Sequence, residues 1–233
     1  MENKIILLLD LDDTLLDFHR AEHEAIKKTF AAQGIAADEA VIARYSEINR
    51  IHWEMLEKKQ ITRRQVLVGR FEMLFGELGI AADADETQKL YEDFLSVGHY
   101  FMPGAEELLK TLDGRCRMFL CSNGTAKVQA GRIASAGIAR YFEKIFISED
   151  IGHDKPSREY FDACSAQIPG YDPKYAIIVG DSLTSDILGG INAKMRTCRY
   201  NPHLKPGRED IKPNYEISEL DQLPELLFEK IYW

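Results

Sequence analysis

The chain has 233 residues and a formal net charge of −9, with 45% hydrophobic and 29% charged residues. That balance matches an ordinary globular protein and excludes a disordered, fibrous or collagenous one. The acidic excess argues against a nucleic-acid polymer as partner. No run approaches the ~18 apolar residues that a membrane helix needs, so no membrane partner is expected either.

The first apolar run, Ile5 to Leu9, is too short for a secretory signal and ends in aspartates, which points to a soluble, cytoplasmic protein. Cys116, Cys121, Cys164 and Cys198 show no C-x-x-C spacing and read as reduced thiols packed as small hydrophobes. Five unbroken apolar runs predict buried strands: Lys4–Leu9, Cys116–Cys121, Lys144–Ile147, Tyr175–Val179 and Met195–Arg199. Helical segments Glu106–Leu112, Ala126–Ala136, Ser157–Gln167 and Ser185–Ala193 alternate with the later strands, and a last helix covers about Leu220 to Ile231. Alternation of this kind predicts an α/β fold, a Rossmann-like parallel sheet flanked by helices.

The stretch from Phe18 to Tyr100 contains no convincing strand. Val41, Tyr45, Ile48, His52 and Met55 recur at helical spacing, as do Leu67, Phe71, Leu74 and Leu78. Thr62 with Gln65 has the form of a capping box, and Gly34 and Gly79 sit where helices commonly end. The expected organisation is a core of residues 1–17 and 101–233 with an inserted helical bundle at 18–100, rejoined through Met102-Pro103-Gly104.

Four polar segments follow predicted strands. The first is Asp10-Leu11-Asp12-Asp13-Thr14. In an extended chain Asp10 and Asp12 point the same way, and two carboxylates so close call for a hard cation or a proton. An acidic turn is the plain structural alternative. Ser122-Asn123-Gly124 places a hydroxyl beside free backbone N–H groups, suited to an anion, although Asn-Gly is also a common turn pair. Lys155 precedes Pro156, a favoured first helical residue, where a cation opposes the helix dipole; a surface lysine is the alternative. Gly180-Asp181-Ser182 ends the fourth strand, and Asp186 falls in the next helical turn, where capping would also suit it. Open α/β sheets bind ligands at this edge.

Together, Asp10-x-Asp12-x-Thr14, Ser122, Lys155 and Gly180-Asp181-x-x-x-x-Asp186 resemble the four motifs of the haloacid dehalogenase superfamily, over nearly the whole chain and in order. The wording of the first and last motifs, through Phe18 and Ile187, resembles the bacterial branch of pyrimidine 5′-nucleotidases acting on noncanonical nucleotides. The resemblance implies a phosphomonoester hydrolase with Asp10 as nucleophile and Asp12 as general acid and base. It implies Mg²⁺ on Asp10, the Asp12 backbone carbonyl, Asp181 and Asp186, with Ser122, Asn123 and Lys155 holding the phosphate. The insert becomes a cap over the leaving group, and Phe18 at its entrance the best candidate for stacking on a base. His52, Trp53, Arg70, Phe71 and Tyr100 could also contact a nucleoside, but His52 and Phe71 lie on apolar stripes and read better as core. The implied partner is a small phosphomonoester, most simply a nucleoside monophosphate. Alternatives are a phosphatase of small sugar phosphates or phosphoglycolate, a β-phosphoglucomutase-like phosphoryl transferase, a phosphonate hydrolase using a cap lysine (Lys27, Lys28, Lys58 or Lys59), and a non-catalytic binding relative.

Overall fold

The computed structural model describes residues 5–231 and 233. Its strands are β1 (Ile6–Leu9), β2 (Arg117–Ser122), β3 (Lys144–Ile147), β4 (Ala176–Gly180), β5 (Arg196–Tyr200) and β6 (Tyr215–Ile217). They form one sheet among the described residues, in the order β3-β2-β1-β4-β5-β6, and every pairing is parallel. The first five match the apolar runs to within a residue or two; Lys4, the expected start of the first, lies outside the described residues. β6 was not expected. It is three residues long, at the sheet edge, and too short to stand out in sequence.

Successive residues feed opposite faces of the sheet. Leu7 and Leu9, Met118 and Leu120, and Ile177 and Val179 pack on one side with helix α6 (Ala105–Leu112) and the C-terminal segment. Ile6 and Leu8, Phe119 and Cys121, and Ala176 and Ile178 pack on the other, against Tyr160, Phe161 and Cys164 of α9 (Arg158–Ser165). Helix α7 (Ala126–Ala136) has the expected bounds. All four cysteines are buried.

Two expected helices differ in form. Residues Leu183–Ile187 make a π-turn capped by Ser182, and only Leu188–Asn192 (α10) is α-helical. The last segment starts at Gln222 and passes from a short α-turn into a π-turn over Leu226–Lys230.

Between β1 and β2 the chain inserts five helices: α1 (Phe18–Ala32), α2 (Glu39–Glu57), α3 (Arg63–Leu67), α4 (Gly69–Leu78) and α5 (Ala84–Leu95). They have their own core, built around Ile26, Phe30, Tyr45, Ile48, Phe71, Leu74 and Tyr91. The Tyr45 and Phe71 rings stack with centroids 5.1 Å apart. The capping box at Thr62 and Gln65 is present, but it opens the short α3; the chain bends at Val68 before α4. The second stripe therefore splits, with Leu67 on α3 and Leu78 exposed at the end of α4. Gly34 and Gly79 follow helices α1 and α4 with φ of 68° and 65°.

The outgoing and returning segments of the insertion run side by side. Asp17 N–H donates to Tyr100 O at 2.7 Å, and Met102 N–H to Leu15 O at 3.0 Å. Gly104, with φ of 78°, then starts α6.

Two glycine replacements test the packing. A Cβ on Gly190 of α10 would lie 2.5 Å from Ile178 Cγ2 and from Thr197 Cγ2, both on stiff β-branched side chains of the sheet. Gly190→Ala should lower stability by about 1–3 kcal/mol. A Cβ on Gly76, in α4, meets nothing within 4 Å. Gly76→Ala should raise stability by about 0.5–1 kcal/mol. Urea midpoints read both, and the two signs must be opposite.

Candidate active site

Strand order reverses direction between β1 and β4, so a crevice opens at their carboxyl ends. Asp10 leaves β1 there, its N–H donating to Val179 O at 3.0 Å. Thr14 Oγ1 donates to Asp10 Oδ2 at 3.1 Å and accepts the Asp181 N–H at 3.2 Å, tying the β1 loop to the β4 loop. Lys155 is buried, and its Nζ donates to Asp10 Oδ1 and Asp186 Oδ1 at 2.6 Å each, and to Cys121 O at 2.9 Å. Asp186 Oδ2 accepts the Ser182 N–H at 3.2 Å. This packing requires a glycine before Asp181, since a Cβ on Gly180 would lie 2.2 Å from Asp186 Oδ2.

The cluster carries more negative charge than one ammonium can balance. Asp10, Asp181 and Asp186 can each bring a carboxylate oxygen within 4.8 Å of the others. Burial, then the neighbouring Asp186, pushes the Asp10 carboxyl up to about 8, and Lys155 offsets only part of this. Burial, Asp186 and Asp10 push Asp181 well above the usual carboxylate range. Among the described residues no donor makes a hydrogen bond to the Asp181 carboxylate, and the charge of Lys205 offsets only part of the rise. Burial alone would lower Lys155, but Asp10 and Asp186 hold it above the ordinary lysine value. Three hard oxygen donors with unbalanced charge suit a divalent cation.

Asp12 stands apart from those three carboxylates. Its Oδ2 accepts Gln129 Nε2 at 2.6 Å, and its Oδ1 pairs with the Arg132 guanidinium. A contribution of Asp12 to a metal would therefore come from its backbone carbonyl rather than its side chain. The same Gln129 nitrogen donates to Ser122 Oγ at 2.7 Å, and Ser122 is fully buried. Asn123 grips the backbone of Lys155 from both sides: its Oδ1 accepts the Lys155 N–H at 2.8 Å, and its Nδ2 donates to Lys155 O at 2.9 Å. Its amide is thus committed to the lysine. Pro156 does not open a helix, because α9 begins at Arg158 behind a Ser157 cap. Lys155 therefore sits in a loop, and its place is set by Asn123 and the carboxylates rather than by a helix end.

Asp10, Asp12, Asn123, Lys155, Asp181 and Asp186 line a cavity of about 390 Å³ between the sheet edge and the inserted helices, whereas the buried Ser122, expected to hold phosphate, does not line it. Phe18, Trp53, Leu67, Tyr91 and Leu95 contribute apolar wall, and Glu22, Ser46, Asn49 and Arg70 a polar one. Glu22 accepts Ser46 Oγ at 2.6 Å and Asn49 Nδ2 at 2.5 Å, while Arg70 donates to Asn49 Oδ1 at 2.6 Å and to Gln88 Oε1 at 2.7 Å. His52 and Phe71 are buried in the helical layer and do not line the cavity. Nor do Tyr100 or the exposed Lys27, Lys28, Lys58 and Lys59. Contacts across the cavity mouth come from α3 and α2. Arg63 donates to Gly124 O at 3.0 Å and Ser148 Oγ at 2.8 Å and pairs with Asp154, and Thr184 Oγ1 donates to Glu57 Oε2 at 3.0 Å.

Sequence reading missed Gln129, Arg132, the cavity-lining set Glu22, Ser46 and Asn49, and Lys205. The first two carried no signal beyond polar residues on a helix. Lys205 also lines the cavity, from the loop after β5. Asn201 holds it as Asn123 holds Lys155: Oδ1 accepts the Lys205 N–H at 2.9 Å, and Nδ2 donates to Lys205 O at 3.0 Å.

Comparison with known proteins agrees with this geometry. Residues 6–194 match the family model described as haloacid dehalogenase-like hydrolase. The HAD-hydrolase YfnB of Bacillus subtilis is 38% identical over 221 residues, covering 95% of this chain and 94% of its own. The pyrimidine 5′-nucleotidase PynA of Streptococcus pneumoniae is 35% identical over 230 residues, with 97% of each chain covered. The pyrimidine 5′-nucleotidase YjjG of Escherichia coli is 31% identical over 224 residues, covering 95% of this chain and 96% of its own. The crystal structure of YfnB bound to magnesium, described as revealing interdomain movement, superposes with a TM-score of 0.92 at 37% identity, covering 97% of this chain and 100% of that one. Its sheet, its inserted helices and its match to the family model make this chain a member of the haloacid dehalogenase-like hydrolases.

Proposed function

We propose that this protein is a Mg²⁺-dependent phosphomonoesterase that dephosphorylates pyrimidine nucleoside or deoxynucleoside monophosphates. The observation that carries the reading is the Asp10, Asp181 and Asp186 cluster with Lys155, open to a cavity that Asp12 also lines. Nucleotide specificity is supported by PynA and YjjG, similar along almost their whole length. The aromatic wall of Phe18, Trp53 and Tyr91 suits a flat base, and the cavity volume lies in the range of small-molecule sites.

In this reading an Asp10 carboxylate oxygen attacks phosphorus and the bond to the leaving oxygen breaks. Asp12 gives that oxygen a proton. Asp12 then takes a proton from water, the water oxygen attacks the phosphorus, and Asp10 is released with inorganic phosphate. Lys155 balances charge on the non-bridging oxygens; the Gly124 N–H expected to share that role already donates to Ser148 Oγ at 3.2 Å. Asp10, Asp181, Asp186 and the Asp12 carbonyl would hold Mg²⁺, which neutralises the acids so that an anionic nucleophile can approach an anionic ester. Residues 18–100 act as the cap on a core of 1–17 and 101–233, hinged where Asp17 and Met102 bond across the two crossings. Closure at Arg63 and Glu57 keeps water from the acyl phosphate until the leaving group has gone.

Phosphate release from a panel of nucleoside and sugar phosphates tests the activity. Mg²⁺-dependent release favouring pyrimidine monophosphates, abolished by EDTA and by Asp10→Asn, is the expected result. Equal turnover of sugar phosphates would reject the nucleotide specificity. Transfer to a sugar hydroxyl without free phosphate would make the protein a mutase.

The carboxyl cluster gives a second prediction. Folded-state values raised above the ordinary 3.8 favour the protonated fold. Their stabilising contribution is therefore present at low pH and lost as pH rises toward about 8 in metal-free protein. Urea midpoints in EDTA should fall between pH 5.5 and 8, and Mg²⁺ should raise them more at pH 8. An equal Mg²⁺ effect at both pH values would show that these carboxyls do not bind it.

A further inference from the structure

Arg132 is an unusual residue for the inside of a protein. Its side chain is fully buried on α7, and its Nη2 has no hydrogen-bond partner. A leucine or methionine there would avoid the desolvation of a guanidinium. Its remaining contacts all converge on the carboxyl and the chain crossings next to the catalytic cluster. Nη1 pairs with Asp12 Oδ1 and also donates to Gln129 Oε1 at 3.2 Å. Nε donates to Gly98 O at 3.0 Å, on the segment returning from α5. The guanidinium carbon lies 5.6 Å from the centre of the Phe18 ring, on the segment leaving for α1. One side chain thus touches Asp12 and both crossings of the insertion. The rest of α7 follows the same segment: a Cβ on Gly131 would lie 2.7 Å from Ser96 O, and Ser135 Oγ donates to Val97 O at 3.2 Å.

We infer that Arg132, with Gln129, is the positioning residue for Asp12, and that its bonds at Gly98 and Phe18 make that positioning depend on the cap crossings. The inference rests on the reading of Asp12 as general acid and base. Each Asp12 oxygen has one donor, Gln129 on Oδ2 and Arg132 on Oδ1, so the carboxyl is fixed in rotation as well as in place. Gln129 also reaches Ser122, which couples the same carboxyl to the end of β2. A displacement of the crossings moves Gly98 and Phe18, and Arg132 carries it to the group that must meet the leaving oxygen. Asp12 is open to the cavity, so without Arg132 it can take hydration instead of remaining an unpaired buried charge.

The test separates positioning from general damage through the leaving group. An alkyl oxygen needs a proton as it departs, whereas p-nitrophenolate leaves without one. Formation of the phosphoenzyme is followed in single turnover with deoxyuridine 5′-monophosphate and with p-nitrophenyl phosphate. For Arg132→Met, the alkyl-to-aryl rate ratio should fall about 100-fold, the scale of a misplaced catalytic group. Arg132→Lys, which keeps one charged donor, should recover part of it. Gln129→Leu should lower the ratio while leaving Arg132 in place. A ratio cancels any fraction of enzyme that fails to fold. An unchanged ratio in both Arg132→Met and Gln129→Leu would overturn the inference. Failure of the wild-type protein to turn over either ester would instead reject the reading of the site.

Discussion

One ammonium group shared between two buried carboxylates is the constraint on which the rest of the structure depends. Lys155 Nζ sits 2.6 Å from both Asp10 and Asp186, with Asp181 close behind. A buried pair that loses one partner costs several kcal/mol, on the order of 3–5. The surroundings serve to prevent that loss. Asn123 fixes the lysine backbone at N and O, Gly180 leaves room for Asp186, and Thr14 joins the β1 and β4 loops. The protein uses the asparagine grip twice, on Lys155 and on Lys205, and both lysines reach the same cavity. In each case the amide fixes the main chain and leaves the ammonium free to answer charge.

The polar edge of the sheet was legible in the sequence because it violates local expectation. Aspartates immediately after Leu9 and Gly180 break off two buried apolar strands, and a lysine follows the third before Pro156. Strand pattern and polar interruption together placed Asp10, Ser122, Lys155, Asp181 and Asp186 at one edge of a sheet. The helical stripes were legible for the complementary reason: Tyr45, Ile48 and Phe71 recur with the period of the face they bury. What the pattern could not carry was direction between layers. Glu22, Ser46 and Asn49 are polar helix positions that turn inward only through the packing of α1 on α2. Gln129 and Arg132 were hidden because α7 explains itself as a helix, and nothing local says that its polar face meets Asp12. The sequence predicts α-helix from Ser185, where Leu183–Ile187 form a π-turn instead, since a single wider turn leaves no mark on hydrophobic spacing.

The inserted helices meet the core through polar contacts from α2 and α3, and along α7, whose Val128 joins their apolar cluster. Arg63 binds a carbonyl after β2 and a hydroxyl and a carboxylate between β3 and α9, while Glu57, its carboxyl pushed up to about 7 by burial, accepts from Thr184. Interfaces of this kind are broken and remade more readily than an apolar seam, because water can substitute for each bond. Most of the apolar packing lies inside each layer, where Phe71 and Tyr45, or Leu8 and Phe119, never face solvent.

The position of β1 has a consequence for how the chain is made. It comes first in chain order among the strands of this sheet, yet it lies in the middle, between β2 and β4. Its Asp10 meets Lys155 across a separation of 145 residues, and Asp12 meets Arg132 across 120. At about 5–20 residues per second, a ribosome takes roughly 7–30 seconds to supply the missing partner. For most of that interval the residues of the helical cluster are already made, apart from Val128 of α7, whereas β1 waits for its two neighbours, β2 and β4. A nascent chain therefore carries the inserted helices beside an apolar strand that still lacks its partners.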